Sequence, residues 1–173
     1  QELAEVAPEH GWYQLYAAKD RSISDDQIRR AKDLGLSTLV ITVDVPTGSN
    51  RERNKRNGFG RPLKLSLGAK LDALRRPFWF KEYLQHGRST FPNWRAYAPQ
   101  AQRDDPDAMG DFVTGQLRAP LTWDDIARWR DLWPRALVIK GIMRPDDAVR
   151  AADLGVDGIM VSNHGARQLD RAP

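Results

Sequence analysis

The sequence predicts an α/β fold built on a parallel sheet, and three observations predict it. Two runs, TLVITVDV from Thr38 and ALVIKGI from Ala136, are almost continuously apolar, as strands buried on both faces must be. Amphipathic helical patterns lie between the candidate strands, giving the strand–helix–strand spacing of βα units. Residues 26–44 and 146–164 also align without a gap at an offset of 120. Asp26, Arg30, Ala31, Asp33, Leu34 and Gly35 match Asp146, Arg150, Ala151, Asp153, Leu154 and Gly155. The alignment sets Thr42 opposite Ser162 and Asp44 opposite His164, so two βα units present polar groups at equivalent heights on one rim.

In chain order, the first strand is expected over Trp12–Ala18. Ser24 with Gln27 forms a capping box ahead of Ile28, Ala31 and Leu34, and Gly35 supplies the helix stop. The second strand is expected over Thr38–Asp44. From 45 to 120 the α/β pattern breaks into a long excursion that holds NGFGRP, an amphipathic segment from Leu71 to Leu84 and a polar, proline-containing run from Pro99 to Pro106. Gly58 and Gly60 lack the strand-to-helix context of a phosphate loop and read as turn glycines. Thr122 with Asp124 and Asp125 opens a helix through Ile126 and Trp129 to Trp133, stopped by Pro134. A third strand follows over Ala136–Gly141. A helix then starts at Pro145 and ends at Gly155, and a fourth strand covers Gly158–Ser162.

Composition narrows the function classes. With 40% hydrophobic and 29% charged residues, the chain has the material for one ordinary globular core. The absence of cysteine excludes a disulfide framework, thiol chemistry and cysteine metal sites. His10, His86 and His164 are too scattered for metal-ligand spacing, so no metal is expected. No apolar run approaches the roughly 20 residues of a membrane span, and no signal-peptide pattern opens the sequence. A cytoplasmic protein, soluble or surface-bound, is the expectation. The first residues read as the inside of a helix and the last follow a catalytic-looking motif, so the sequence reads as a piece of something larger. Net charge is +4, yet Arg51–Arg95 holds twelve Lys or Arg against three acids, which leaves the remainder at −5. A basic stretch on an otherwise acidic protein calls for an anionic partner.

The densest chemical signal is SNHGARQLD, Ser162–Asp170, directly after the apolar run Gly158–Val161. A buried strand that releases polar groups at its C-terminal end is where α/β barrels and open α/β sheets keep their chemistry. His164 followed by Arg167, with Gly165 between, offers a proton-transfer group beside a fixed cation; the competing reading is a hydrogen-bonded histidine at a strand end. Strand alternation puts Gln14 and Tyr16 on one face of the first strand, and Thr42 and Asp44 on one face of the second. Lys140 ends the third strand, and Ser162 and His164 leave the fourth. Ionisable groups so near buried strands need a partner or a ligand.

Together WYQLY, TLVITVD with the RER that follows it, VIKG and SNHGARQLD resemble the FMN-dependent α-hydroxy acid dehydrogenases and oxidases in order and spacing, over nearly the whole chain. That family includes glycolate oxidase, flavocytochrome b2, membrane-bound L-lactate dehydrogenase and mandelate dehydrogenase. The resemblance implies an incomplete TIM (β/α)8 barrel over residues 1–173, holding about its third to sixth strands, with 45–120 as a basic, aromatic-rich excursion. The implied reaction is FMN-dependent oxidation of a lactate-, mandelate- or glycolate-type L-2-hydroxy acid to the 2-oxo acid. By resemblance, His164 is the base, Asp44 fixes its ring, and Tyr16 hydrogen-bonds the substrate oxygen. Arg51 and Arg167 would clamp the carboxylate, Gln14, Thr42 and Ser162 would contact FMN, and Lys140 would lie near the flavin N1–O2 edge. A homo-oligomer is expected for the complete enzyme. The electron acceptor stays open among oxygen, a quinone and a cytochrome.

A different class of function is also consistent with the sequence: a catalytically incomplete fragment whose basic excursion is a binding module. Phe78, Trp79, Phe80, Trp94 and Tyr97 interleave with the positive charge, which suits anionic lipid headgroups or single-stranded nucleic acid. The resemblance favours lipid at the inner face of the cell membrane, and no nucleic acid is expected.

Overall fold

The residues of TLVIT are all aliphatic or β-branched, as are most of ALVIKGI, and these runs form the central strands of a four-stranded parallel sheet. A computed structural model describes residues 5–49, 52–58, 66–87, 90–117 and 120–168. Its strands are β1 (Trp12–Tyr16), β2 (Thr38–Thr42), β3 (Ala136–Ile142) and β4 (Gly158–Val161), hydrogen-bonded in the order β1-β2-β3-β4. Four adjacent parallel strands in chain order, joined by crossovers, have the arrangement of consecutive strands in a (β/α)8 barrel.

The helices are α1 (Arg21–Asp33), α2 (Glu52–Arg56), α3 (Leu67–Leu74), α4 (Pro77–His86), α5 (Pro106–Gln116), α6 (Trp123–Leu132) and α7 (Pro145–Asp153). Leu15, Leu39, Ile41, Leu137 and Ile139 from one face of the sheet meet Ile28 of α1, Ile126 and Trp129 of α6, and Trp133 just beyond it. Burying such side chains removes about 1.5–3 kcal/mol of exposure penalty for each aliphatic residue. A polar clamp reinforces the α1–α6 contact. Asp25, buried in α1, accepts from the Trp129 indole at 3.0 Å and pairs with Arg128, while Arg21 pairs with Asp125 at 2.8 Å. Burial pushes the Asp25 carboxyl up, but the Arg128 and Trp129 hydrogen bonds outweigh it and hold the group below the usual carboxylate range.

The repeat is a physical one. Gly35 and Gly155 both take positive φ, +77° and +72°. In each unit the glycine N–H bonds back three residues, to Lys32 or Ala152, and the next N–H bonds back five, to Ala31 or Ala151. This is a Schellman stop written twice.

Several expected boundaries move. β1, β2 and β4 end earlier than the apolar runs, because Ala18, Asp44 and Ser162 already belong to the loops. β3 runs one residue further, to Ile142. Ser24 is not an N-cap. Asp20 caps α1 by accepting from the Ser22 N–H, and the Ser24 hydroxyl, inside the helix, accepts instead from the Ala18 N–H. Leu71–Leu84 is not one amphipathic helix. Pro77 lacks an N–H and drives Arg76 out of helical geometry (φ −113°, ψ 71°), so the segment divides between α3 and α4. Of the two expected turn glycines, Gly58 has φ +66°, as a turn requires, and Gly60 lies outside the described residues.

The chain divides into two compact units, 1–50 with 116–173, and 51–115. The first holds the sheet with α1, α6 and α7. In the second, α3 and α4 pack together, and Trp79 stacks on Tyr83 with ring centroids 5.4 Å apart.

Candidate active site

The parallel register lines up Tyr16, Thr42, Lys140 and Met160 across the sheet near its C-terminal edge. Two residues before Tyr16 is Gln14, whose amide nitrogen donates to Thr42 Oγ1 at 2.7 Å. Beyond the row, β2 leads directly to Asp44 and β4 to Ser162 and His164.

Asp44 is the hub. Its side chain is only 3% exposed, and Oδ2 accepts from Lys140 Nζ and from Ser162 Oγ, both at 2.6 Å. Oδ1 lies 3.0 Å from His164 Nδ1. Lys140 Nζ also reaches Ser162 Oγ at 3.2 Å and passes 3.4 Å from His164 Nδ1. Burial pushes the Asp44 carboxyl up, but the hydrogen bonds from Lys140, Ser162 and His164, with the Lys140 charge, hold it below the usual carboxylate range. An ionised carboxylate only accepts, so Nδ1 of His164 carries the proton and Nε2 is left to take another.

The turn after β4 sets the imidazole. His164, Gly165 and Ala166 all have left-handed backbone, φ 59°, 64° and 53°. For His164 and Ala166 this conformation costs roughly 1–2 kcal/mol each, so local bonds must hold it. The His164 N–H donates to Ser162 Oγ at 3.0 Å, and the Ala166 N–H donates to Asn163 Oδ1 at 3.2 Å. From the loop after β2, Ser49 donates to the Arg167 carbonyl at 2.9 Å and Thr47 to the Gln168 carbonyl at 3.2 Å.

Of the residues expected from sequence, Asp44, Lys140, Ser162 and His164 therefore form one hydrogen-bonded group, and Gln14 with Thr42 a second. Tyr16 borders a cavity of about 390 Å³ that Thr42, Leu117, Trp123, Ile139 and Gly141 also line. Arg167 is exposed immediately after the left-handed turn. Arg51 lies outside the described residues. Sequence reasoning passed over Asn163, Thr47 and Ser49, whose roles depend on contacts within the turn or between distant loops. It also passed over Gly141, for which a glycine inside an apolar run was the available signal. Among the described residues no group of three or more His, Asp or Glu is placed to hold a metal ion.

Amide, hydroxyl and ammonium donors at the ends of adjacent strands suit a heteroaromatic ring that presents carbonyl oxygens and ring nitrogens. The model of the FMN-dependent dehydrogenase family matches residues 1–173. The chain belongs to that family. An L-lactate dehydrogenase of Actinobacillus pleuropneumoniae serotype 5b (strain L20) is 41% identical over 165 residues, which is 93% of this chain and 42% of that protein. The 2-hydroxyacid oxidase 1 of Mus musculus is 37% identical over 174 residues, covering all of this chain and 42% of its own length. Among solved structures, the monotopic membrane protein (S)-mandelate dehydrogenase superposes with a TM-score of 0.87 at 33% identity, over 99% of this chain and 44% of that one. The present member of the FMN-dependent dehydrogenase family thus spans less than half the length of these relatives. The match in fold supports a partial (β/α)8 barrel.

Proposed function

We propose that the protein oxidises an L-2-hydroxy acid to the 2-oxo acid with FMN as cofactor. The observation that carries this reading is the Asp44–His164 contact of 3.0 Å on a carboxylate that Lys140 and Ser162 keep ionised. Loss of the α-hydrogen and the hydroxyl hydrogen releases two electrons and two protons. His164 Nε2 accepts the hydrogen that leaves as a proton during oxidation, and Asp44 stabilises the resulting imidazolium. Tyr16 hydrogen-bonds the substrate oxygen. Arg167, with Arg51 as second guanidinium, binds the carboxylate through planar forks. Gln14, Thr42 and Ser162 would hold the flavin, and Lys140 would supply a cation beside its ring. When bound, FMN supplies the acceptor for the electron pair.

The test is stopped-flow flavin reduction by lactate, mandelate and glycolate. His164→Gln should slow reduction by about 10²–10⁴-fold with FMN still bound; reduction at the native rate would remove His164 from the mechanism.

A second reading concerns attachment. Leu67, Leu71 and Leu74 of α3 and Phe78, Trp79 and Leu84 of α4 are all exposed, within the stretch that carries the surplus positive charge. No helix among the described residues is long and apolar enough to cross a membrane. Exposed apolar residues flanked by cations fit peripheral binding to an anionic lipid surface, as does likeness to a monotopic membrane protein. Flotation with anionic vesicles should weaken as salt rises. Oligonucleotide binding in place of vesicle binding would overturn this reading, and removal of residues 64–102 should abolish flotation.

A further inference from the structure

We infer that Gly141 is a positioning residue for the Asp44–His164 pair: its missing side chain is the space in which Asp44 sits. This rests on the proposed roles of Asp44 and His164 and adds a requirement that neither role contains.

Three observations converge on this position. Gly141 has φ +114°, a backbone conformation that side-chain-bearing residues rarely adopt. It is also where the β3–β4 ladder slips: Lys140 pairs with Met160 and Ile142 with Val161, so Gly141 is the extra residue of a bulge. Finally, a Cβ built at 141 would stand 2.6 Å from Asp44 Cβ, 2.7 Å from Asp44 N and 3.0 Å from Asp44 Cγ. The first two lie inside any real carbon contact, and the neighbours are main chain and side-chain root, which cannot rotate away. β2 has little freedom to retreat either, because the Val43 N–H is bonded to the Lys140 carbonyl at 2.8 Å.

The bulge also explains how one carboxylate serves three partners. Lys140 points to Asp44 from the residue before the bulge, while Asp44 closes over the bare Cα of the bulge residue itself. Its Oδ1 then reaches His164 on the far side of β3. A methyl group at 141 would push Asp44 off that position. The carboxylate would lose its placement against the imidazole, while the Gln14–Thr42 hydrogen bond lies outside the displaced group.

The experiment is Gly141→Ala in the flavin-loaded protein, with Gly155→Ala and His164→Gln beside it. Gly155 also has positive φ (+72°), but its added Cβ would meet only Arg130 Cδ at 4.0 Å. Flavin reduction per bound FMN should fall on the order of 10²-fold in Gly141→Ala, the effect of roughly 1 Å of misplacement. The dissociation constant for the 2-oxo acid should stay within about twofold, because carboxylate binding is untouched. Gly155→Ala should lower the melting temperature and leave the reduction rate per flavin unchanged. A native rate per flavin in Gly141→Ala, with His164→Gln inactive, overturns the inference alone. A native rate in His164→Gln overturns the proposed function instead. If Gly141→Ala yields no flavin-loaded protein, the same change is made in an Asp44→Gly background, where the Cβ and Cγ contacts are gone and a glycine at 44 leaves the main chain free to shift its N away from the added methyl group. Recovery of flavin-loaded protein upholds Asp44 as the displaced group, and failure to recover it overturns the inference.

Discussion

The ammonium of Lys140 stands 2.6 Å from Asp44 Oδ2, with the two side chains 19% and 3% exposed. The ion pair is therefore largely withdrawn from water, and each charge depends on the other. It also joins two strands at the height where the imidazole of His164 enters.

Removing the cation should be strongly destabilising. Lys140→Met leaves a carboxylate buried with only Ser162 and His164 as partners. Breaking such a pair costs about 3–5 kcal/mol, and the two surviving hydrogen bonds put this case at the low end. The melting temperature should fall by roughly 6–12 °C. Thermal unfolding followed by circular dichroism measures it, and a shift under about 2 °C would mean the pair contributes little.

Asp44 should make stability depend on acid. Its folded pKa lies below the ordinary value of 3.8. Across that window the unfolded chain binds the extra proton, so stability rises with pH. The contribution is complete above the unfolded value and is lost as pH falls through the folded one. Urea midpoints measured from about pH 6 down to about pH 3 should decline, and Asp44→Asn should flatten the slope. Asp25 and Asp125, held low in the same sense, keep it from vanishing.

Arg167→Lys keeps the charge and loses the fork. The Michaelis constant for a 2-hydroxy acid should rise by roughly tenfold or more, about 1.4 kcal/mol, because an ammonium cannot pair with both carboxylate oxygens. Steady-state kinetics with the flavin-loaded protein checks this. An unchanged constant would take Arg167 out of the carboxylate clamp.

Asp25→Ala tests the clamp between α1 and α6. It leaves the fully buried Trp129 indole N–H without an acceptor, a loss of about 1–3 kcal/mol, while the exposed Arg128 turns to solvent. Asp25→Asn keeps an oxygen for the indole and should cost less. Chemical denaturation of the two variants separates the cases.

Much of this arrangement was legible in the sequence, for identifiable reasons. Apolar runs bounded by glycine and proline located the strands, alternation paired Gln14 with Tyr16 and Thr42 with Asp44, and Lys140 was placed at the end of the third strand. What escaped depends on the third dimension. Ser24 looks like a cap because its spacing to Gln27 is right, yet Asp20 competes for the same helix end and wins. Asp25 reads as a surface charge on a helix until Arg128 and Trp129, more than 100 residues away, close over it. Thr47 and Ser49 acquire a purpose only once Arg167 and Gln168 are brought beside them. Gly141 breaks an apolar run, but nothing local says that Asp44 is the group it admits.

The duplicated βα unit has a metric consequence. Asp44 and His164 occupy the same address in two copies, and a single strand, β3, separates the copies in the sheet. Two strand spacings are about 9.5 Å, a gap that one carboxylate arm and one imidazole arm close from opposite sides. The sheet thus acts as the ruler for the pair. The distance between base and carboxylate is set by the backbone hydrogen bonds beneath them and by the left-handed turn that follows β4. Changes that stretch or shear the β2–β3–β4 ladder, even far below the rim, should therefore be felt as a change in proton affinity at its edge.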